Sequence, residues 1–496
     1  MTFNTVCHVQ ASLAATLDLR ICPTAYFLLI FRLSSILFYL YKWFKTVLLH
    51  KYFLNRIFLL QIVFLFRLLR KYYNFFCYIC RTMENVVITG MGCVSSLGNS
   101  PELLWQNLLQ GKSGIATIQR FDASAYTSRI ASEIREFDAT GIYSPRDQSR
   151  FSRCIQYAVY SSLQALRQAG IAPENENPER CGAIIGSSIG GLLHCYEAAV
   201  ALSTRGPSRV SPFYIPMAIV NMPAGEVCNK IGWMGPSYTV TSACATSNHS
   251  IANAYDLIRL GRCDVMLAGG ADETVNPLSL AGFTSMKAVS KRNDSPETAS
   301  RPFDKDRDGF VIGEGAAVLV LESESHAKAR GAKILARIAG VGASSDAYHI
   351  SAPRPDGKGV MLAMTNAMKE AGIEPKDISY INTHGTSTPL GDIAECSAIE
   401  TLFKQNSASA LENLKVNSSK SMIGHCLGAA GALESVVTIM SVMEQKVHGT
   451  LNVFEQDPAI HLDVCANGAV NQKIDYAMSN GFGFGGQNGV IIFARN

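Results

Sequence analysis

The chain has 496 residues, of which 48% are hydrophobic and 17% charged, and this composition indicates a globular protein rather than a disordered one. Residues 1–82 hold ten Lys or Arg and one acid, a charge of +9, which leaves 34 basic and 39 acidic residues, a charge of −5, in the rest. A mildly acidic body gives no reason to expect a nucleic acid as a partner. The 14 Cys residues lack the spacing of a metal site, so we expect no metal ion. Nothing in the sequence implies an organic cofactor.

The N-terminal segment, residues 1–82, is basic and aromatic and contains no Gly, whereas all 40 Gly of the chain follow Met83. Its apolar runs are about ten residues long, roughly half of what a membrane-spanning helix needs. The pair Cys77 and Cys80 has no second pair beside it, so we expect no metal or redox site there. Two interpretations stay open: the segment is untranslated upstream sequence, or it is a targeting or membrane-associated extension. We expect a cytoplasmic protein in the first case and an organelle-targeted or membrane-associated one in the second.

After Met83, short apolar runs alternate with helical patterns, which predicts an α/β fold with largely parallel sheets. The runs that predict strands are residues 86–90, 182–186, 265–269, 316–321 and 378–382. The patterns that predict helices are residues 152–169, 245–260, 359–371 and 428–444. A basic stretch of small residues at 327–333 predicts a boundary between two halves, residues 83–332 and residues 333–496.

Cys244 lies in T-V-T-S-A-C-A-T-S, where a β-rich run ends in small residues and a helical pattern begins. This order predicts that Cys244 occupies a strand-to-helix turn near a helix N-terminus. The helix dipole and the free N–H groups there favour the thiolate, which is the nucleophilic form. Because a free Cys is more often a small buried hydrophobic residue, this segment alone does not establish a nucleophile.

Two histidines lie in small-residue loops later in the chain. His384 follows a predicted strand in N-T-H-G-T-S-T-P, and α/β proteins place reactive groups in loops at strand ends. His425 precedes a predicted helix in K-S-M-I-G-H-C-L-G-A-A-G, five residues after Lys420. One His alone is more often structural than catalytic, but two in such loops, together with Cys244, favour a catalytic group.

The chain closes on N-G-F-G-F-G-G-Q-N-G, whose density of Gly permits positive φ angles and close approach of the backbone to a ligand. No Lys-Ser/Thr follows it, so a backbone N–H donor to an oxyanion is a better interpretation than a phosphate loop. A different segment, D-K-D-R-D-G at residues 304–309, partly matches the pattern of a calcium-binding loop. It lacks the Glu that such a loop carries at its twelfth position, which is Gly315 here.

Together these motifs resemble those of the type II β-ketoacyl-[acyl-carrier-protein] synthases, and the resemblance runs from about Met83 to the C-terminus. It includes V-V-I-T-G-M-G near the start and R-P-F-D-K-D-R-D-G-F-V-I-G-E-G in the middle. The resemblance implies a thiolase-like, five-layered αβαβα fold with two similar α/β halves, usually as a homodimer. It implies an acyltransferase that condenses malonyl-[acyl carrier protein] with an acyl-enzyme thioester, with loss of CO₂, and so elongates fatty acyl chains by two carbons.

The resemblance also assigns the catalytic roles. Cys244 would take the acyl chain from the acyl carrier protein (ACP) as a thioester, which implies ping-pong kinetics. His384 and His425 would hold the malonyl carbonyl and donate two neutral imidazole N–H groups to the enolate. The backbone N–H groups of Cys244 and Phe484 would form the other oxyanion hole. Phe484 resembles the gating aromatic residue of the family, and Phe482 lies in the same motif.

Further residues take supporting roles by the same resemblance. Those that would orient the histidines are Lys420 and Glu314. Those that would bind substrate are Thr386 and Thr388 along the pantetheine arm and Ile189 and Phe213 at the acyl pocket. The carrier protein is acidic, so its docking residues should be basic. The candidates are Arg146, Arg150, Arg209 and Arg292.

Related activities fit the motifs less well. A thiolase carries a second catalytic Cys in its C-terminal Gly-rich motif, and this chain has none there. The initiating synthase pairs Cys with His and Asn, whereas this chain has His425. Two alternatives stay open: a ketosynthase of an aromatic-type polyketide pathway and a non-catalytic, chain-length-factor-like partner, although such partners lose the nucleophile. Gln487 stands where bacterial members usually have Thr, which leaves the details of gating open.

Overall fold

The computed structural model describes residues 83–406, 408–466 and 468–496. The N-terminal segment lies outside the described residues, and with it the alternatives for its origin and for localisation. In the described residues the strands are β1 Val86–Val94, β2 Ala116–Thr117, β3 Ile130–Ala131, β4 Cys181–Gly186, β5 Ser237–Tyr238, β6 Val265–Asp272, β7 Gly315–Ser323, β8 Ala336–Ser345, β9 Ile378–Asn382, β10 Lys415–Asn417, β11 Lys446–Val447, β12 Val470–Asn471, β13 Tyr476–Gly483 and β14 Gln487–Ala494.

The α-helices connect these strands and cover them. They are α1 Pro101–Leu109, α2 Pro145–Gln148, α3 Arg153–Ala169, α4 Leu192–Arg205, α5 Tyr214–Ala218, α6 Met222–Ile231, α7 Thr246–Arg259, α8 Pro277–Ser285, α9 Glu324–Ala329, α10 Lys358–Ala371, α11 Pro389–Asn406, α12 Lys420–Ile423 and α13 Ala430–Glu444. Local signals set their ends. The hydroxyl of Ser152 accepts from the N–H of Ile155 at the start of α3, and Gly170 ends that helix in the left-handed conformation.

Ten strands form one sheet in the order β10-β9-β13-β14-β8-β1-β7-β6-β4-β5. The order divides into a first half-sheet, β5-β4-β6-β7-β1, and a second half-sheet, β10-β9-β13-β14-β8. Both halves repeat the same sequence of parallel and antiparallel pairings, and β1 pairs with β8 where they join. This repeat is the pair of similar α/β halves that the resemblance implies.

The expectation of largely parallel sheets is wrong. In the first half-sheet only β4 pairs in parallel, with β5 and β6, while β7 is antiparallel to both β6 and β1. A parallel pair needs a crossover connection, usually a helix, whereas a short turn makes neighbouring strands antiparallel. The Gly-rich turn Phe484–Gly486 joins β13 directly to β14 and so produces an antiparallel pair.

Helices form layers on both sides of each half-sheet. Helices α3 and α6 pack against the first half-sheet, and α10 packs against the second with α11 beside it. Between the halves lie α7 and α13, which contact strands of both. Every residue of α13 from Ala430 to Val442 is buried. The segment Leu427–Glu444 is long and apolar enough to cross a membrane by composition alone, but 89% of it is buried inside the protein, as in a core helix.

Candidate active site

A cavity of about 590 Å³ lies where the loops of the two half-sheets meet. Its wall includes segments that follow β4, β5, β6, β8, β9 and β10, together with the turn between β13 and β14. Cys244, His384 and His425 all line it. The Sγ atom of Cys244 and one ring nitrogen of each histidine lie within 4.8 Å of one another. The three residues that the sequence singled out from distant segments are thus brought together.

Cys244 occupies a sharp turn between β5 and α7, as its small neighbours predict. Ala243, immediately before it, has a φ angle of 51°, which is unusual for a residue with a side chain. The backbone of Gly483 runs against this turn. A Cβ atom on Gly483 would lie 2.9 Å from the backbone nitrogen of Cys244, so only Gly permits the approach.

Burial raises the pKa of the Cys244 thiol to about 12, against the opposing effect of the nearby Lys420 ammonium. The buried carboxylate of Asp272 raises this pKa further, while the backbone N–H groups of Phe484 and Cys244 lower it by hydrogen bonding to the sulfur. The helix N-terminus therefore does not by itself produce a thiolate here, because desolvation outweighs it. Nε2 of His425 lies 3.0 Å from Sγ and can exchange a proton with it.

The two histidines are held in an apolar, aromatic setting. Their ring centroids are 5.3 Å apart with planes at 84°. Phe310 meets the ring of His425 edge to face, and Phe482 lies 5.8 Å from that of His384. Burial lowers the pKa of both histidines well below the usual value, and the charge of Lys420 lowers it further. Both imidazoles are therefore neutral near pH 7 and can donate N–H groups.

Lys420 is buried and forms an ion pair with Glu434, which is buried as well. The expectation that Glu314 orients the histidines does not match its contacts. The Glu314 carboxylate accepts hydrogen bonds from the Arg120 guanidinium, at 2.5 and 2.6 Å, and from the N–H of Ile134. Arg120, which is 194 residues away in sequence, is therefore the ion-pair partner of Glu314. The partner of Lys420 is Glu434, which the sequence analysis missed.

Glu395 is a second residue that the sequence analysis missed. Its carboxylate accepts from the backbone N–H groups of His384 at 2.8 Å and Gly385 at 2.9 Å, and from the Asn480 amide at 3.1 Å. Burial raises its pKa, against these hydrogen bonds. It lies in the first turns of α11, a helix that the sequence analysis did not predict, so the sequence alone did not single out this carboxylate.

Of the four predicted substrate-binding residues, Thr386, Thr388 and Ile189 line the cavity and Phe213 does not. Thr386 and Thr388 line the cavity with their hydroxyl oxygens 3.1 Å apart, and the wall also includes Ile189, Phe482 and Phe484. Phe484 is 37% exposed, and its gating role stays a prediction.

Phe213 does not line the cavity of the single chain, contrary to expectation. It is 38% exposed on the surface beyond α4, and the Arg150 guanidinium covers its ring at 5.1 Å. Arg150 also pairs with Asp147 at 3.1 Å.

The other candidate docking residues lie at the surface. Arg146 and Arg209 are exposed. Arg292 is partly exposed and already engaged, since it lies 3.5 Å from Asp308 and donates to the carbonyl of Asp306. Two basic residues that the sequence analysis did not select, Lys287 and Arg354, line the cavity itself.

Known proteins resemble this chain along most of its described length. The N-terminal domain model of the β-ketoacyl synthase family matches residues 83–327, and the C-terminal domain model matches residues 335–454. The 3-oxoacyl-[acyl-carrier-protein] synthase 2 of Vibrio cholerae is 45% identical over 413 residues, which cover 83% of this chain and 99% of the relative. The chloroplastic 3-oxoacyl-[acyl-carrier-protein] synthase I of Hordeum vulgare is 43% identical, covering 83% of this chain and 89% of the relative.

A solved structure of similar fold comes from polyketide synthesis. It is a type II acyl-carrier protein in complex with its ketosynthase bound to the hexaketide. It matches with a TM-score of 0.77 at 31% identity and covers 83% of this chain and all of that one.

Proposed function

Because this chain belongs to the β-ketoacyl synthase family, we propose that the cavity catalyses two-carbon elongation of fatty acyl chains by way of an acyl-Cys244 thioester. The observation that carries this proposal is the convergence of Cys244, His384 and His425 within 4.8 Å, beside two backbone N–H groups that point at the sulfur. The enzyme is an acyltransferase, and the roles of its residues follow from where they lie.

In the first half-reaction, Sγ of Cys244 attacks the acyl thioester of the carrier. His425, 3.0 Å away, accepts the thiol proton, which lowers the cost of forming a thiolate in a buried site. The N–H groups of Cys244 and Phe484 hydrogen-bond the oxyanion of the tetrahedral intermediate. Collapse of the intermediate expels the carrier thiolate, which takes up the proton, and leaves the acyl group on Cys244.

In the second half-reaction, malonyl thioester takes the carrier's place. The bond between the malonyl α-carbon and its carboxylate breaks, which releases CO₂ and leaves an enolate. The enolate oxygen accepts N–H hydrogen bonds from His384 and His425. Their lowered pKa keeps both rings neutral, so neither gives up a full proton to the enolate. The enolate carbon attacks the acyl carbonyl, and Cys244 leaves as a thiolate, which takes up a proton from water to restore the thiol. Thr386 and Thr388, on the cavity wall, hydrogen-bond the pantetheine arm.

An acyl carrier protein delivers both substrates. The supporting observations are the similar solved structure, in which an acyl-carrier protein is in complex with its ketosynthase, and the exposed Lys287 on the cavity wall. Arg146 and Arg209 lie exposed and are available to an acidic partner.

The chain acts as a homodimer through β5. This strand ends the sheet, and an unpaired edge is normally covered in a folded protein. Exposed apolar residues lie on the strand, just before it and in the segment 196–219, as at an interface. They include Tyr196, Phe213, Ile215, Ile219, Met234 and Tyr238.

Fatty-acid elongation is favoured over polyketide synthesis. Identity is 45% to a synthase of the fatty-acid type over 99% of its length, against 31% to the polyketide ketosynthase. A catalytically silent partner would lack the nucleophile, and Cys244 is present.

The test is the intact mass of the full chain after incubation with a long-chain acyl-[acyl carrier protein]. The proposal predicts a gain equal to the acyl group, localised to Cys244 and missing in Cys244→Ala. No gain with either carrier-bound or CoA-bound donors would overturn it.

A further inference from the structure

His249 lies in α7, five residues after Cys244, and its ring joins two segments of the candidate active site. Its Nδ1 atom lies 2.7 Å from the hydroxyl oxygen of Ser242, in the turn that carries Cys244. Its Nε2 atom lies 3.1 Å from the backbone carbonyl of Asn488, at the start of β14. The ring therefore bridges the nucleophile turn and the Gly-rich segment.

These two partners fix the tautomer of the ring. A carbonyl can only accept, so Nε2 carries the hydrogen and donates it to Asn488. Nδ1 is then without a hydrogen and accepts from the Ser242 hydroxyl. Burial lowers the pKa of His249, which keeps the ring in this neutral form.

The bridge lies next to both N–H donors of the oxyanion hole. Ser242 comes two residues before Cys244, and Asn488 four residues after Phe484, whose N–H reaches the Cys244 sulfur. β14 approaches the ring closely, since a Cβ on Gly489 would lie 3.1 Å from its Cδ2 atom. No side chain fits between the ring and the strand.

We propose that His249 is a positioning residue that sets the distance between the two oxyanion N–H donors. The inference rests on the proposed function, because it assigns His249 to the acyl-transfer step. Besides this bridge, the Phe484 N–H bonds to the Cys244 sulfur, and the Asn248 amide of α7 donates to the Ser479 carbonyl of β13 at 3.2 Å. The His249 ring is the link that runs from Ser242 to β14. A misplacement of a fraction of an ångström at such donors is costly in rate.

Two amide variants separate the two bonds of the ring. In His249→Gln, the amide nitrogen can take the place of Nε2 and still donate to Asn488. In His249→Asn, the amide oxygen can take the place of Nδ1 and accept from Ser242, but the link to Asn488 is lost. The matched control is Asn253→Ala, an exposed residue one turn further along α7 whose amide donates to the backbone carbonyl of His249 and not to its ring.

The first readout is acyl transfer to Cys244. We expect kcat of His249→Asn to fall about tenfold to 100-fold with KM for acyl carrier protein unchanged. His249→Gln should stay within about threefold of the native enzyme, and Asn253→Ala should equal it.

The second readout needs no substrate: the rate of Cys244 alkylation by iodoacetamide against pH. Loss of one N–H donor to the thiolate should lower the rate at fixed pH about tenfold in His249→Asn. A purely structural role would lower thermal stability without moving this profile. Should His249→Asn fail to fold, Ser242→Ala frees Nδ1 and should lower the alkylation rate about threefold.

An unchanged alkylation profile in His249→Asn, or an equal fall in both amide variants, would overturn the inference. Failure of the native chain to form an acyl-enzyme would instead contradict the proposed function, since the alkylation result is independent of it.

Discussion

The two half-sheets place different chemistry at equivalent positions. β4 and β9 occupy the same place in their halves, and the first is followed by Ile189 and the second by His384. β5 and β10 both end the sheet, and the first leads to Cys244 and the second to His425. One half thus supplies the nucleophile and an apolar wall, and the other supplies the two imidazole donors. A repeated scaffold therefore faces one cavity with two chemically distinct sides.

Each half also fixes its loop with a buried carboxylate. Asp272 accepts from the N–H groups of Ser188 at 3.1 Å and Gly428 at 2.7 Å, and so ties the first half to the loop after His425. Glu395 accepts from His384 and Gly385 within the second half. Removing either carboxylate would leave buried N–H groups unsatisfied.

The largest effect is expected from His384→Ala, which removes one imidazole donor of the second half. We expect condensation to fall about 100-fold to 1000-fold, because one oxyanion donor is lost, while Cys244 still becomes acylated. Product formation and the mass of the acyl-enzyme measure the two steps separately. The exposed His461 provides the control variant His461→Ala, which should change neither. Equal loss of acylation and condensation would show that His384 of the second half is not specific to the condensation step.

Gly483→Ala tests the contact between the halves at the nucleophile turn. Its new Cβ would lie 2.7 Å from the carbonyl oxygen of Ser242, so the Gly-rich turn must move away from Cys244. We expect kcat to fall about tenfold to 100-fold. Gly225→Ala, where a Cβ meets nothing within 4 Å, is the control. Native kcat in Gly483→Ala would mean that this close approach has no catalytic value.

Lys420→Met tests the electrostatics of the second half by the pH dependence of condensation. Condensation needs neutral histidines, so its rate is lost as pH falls through their lowered pKa. Lys420 contributes to that lowering, so its removal should raise the pKa of both histidines. The acid limb, which is the part of the pH–rate profile where the rate falls toward low pH, should then move to higher pH. Glu314→Gln, which alters a carboxylate paired with Arg120, should leave the limb in place. A limb that moves to lower pH in Lys420→Met would contradict this account.

The smallest effect is expected at the residues that bind the pantetheine arm of the carrier. Thr386→Val removes one hydroxyl of the pair on the cavity wall. KM for the carrier-bound substrate should rise roughly fivefold with kcat unchanged, as for one neutral hydrogen bond. Thr117→Val, at an exposed position, serves as control. A change in kcat alone would argue against a role in binding.

Much of this site was readable from the sequence, because its reactive residues lie in loops of small residues beside recognisable strands and helices. The helix predicted at residues 359–371 is α10, and the strand predicted at residues 378–382 is β9. Cys244, His384 and His425 meet at one cavity because strand ends of both halves face it.

The errors concern partners that only tertiary packing selects. Glu314 and Glu434 are both buried acids, and nothing in their local sequence tells that one faces Arg120 and the other Lys420. Phe213 follows a helix whose apolar side chains lie at the surface of a single chain, so its sequence alone does not place it.

The most direct test of the account is Cys244→Ala assayed for two reactions at once. The variant lacks the acyl acceptor but keeps His384 and His425, so condensation of acyl and malonyl carriers should stop while malonyl decarboxylation continues. Release of CO₂ and the carrier-bound products measure both. Condensation at the native rate in Cys244→Ala would contradict the assignment of the nucleophile and, with it, the division of chemistry between the two halves.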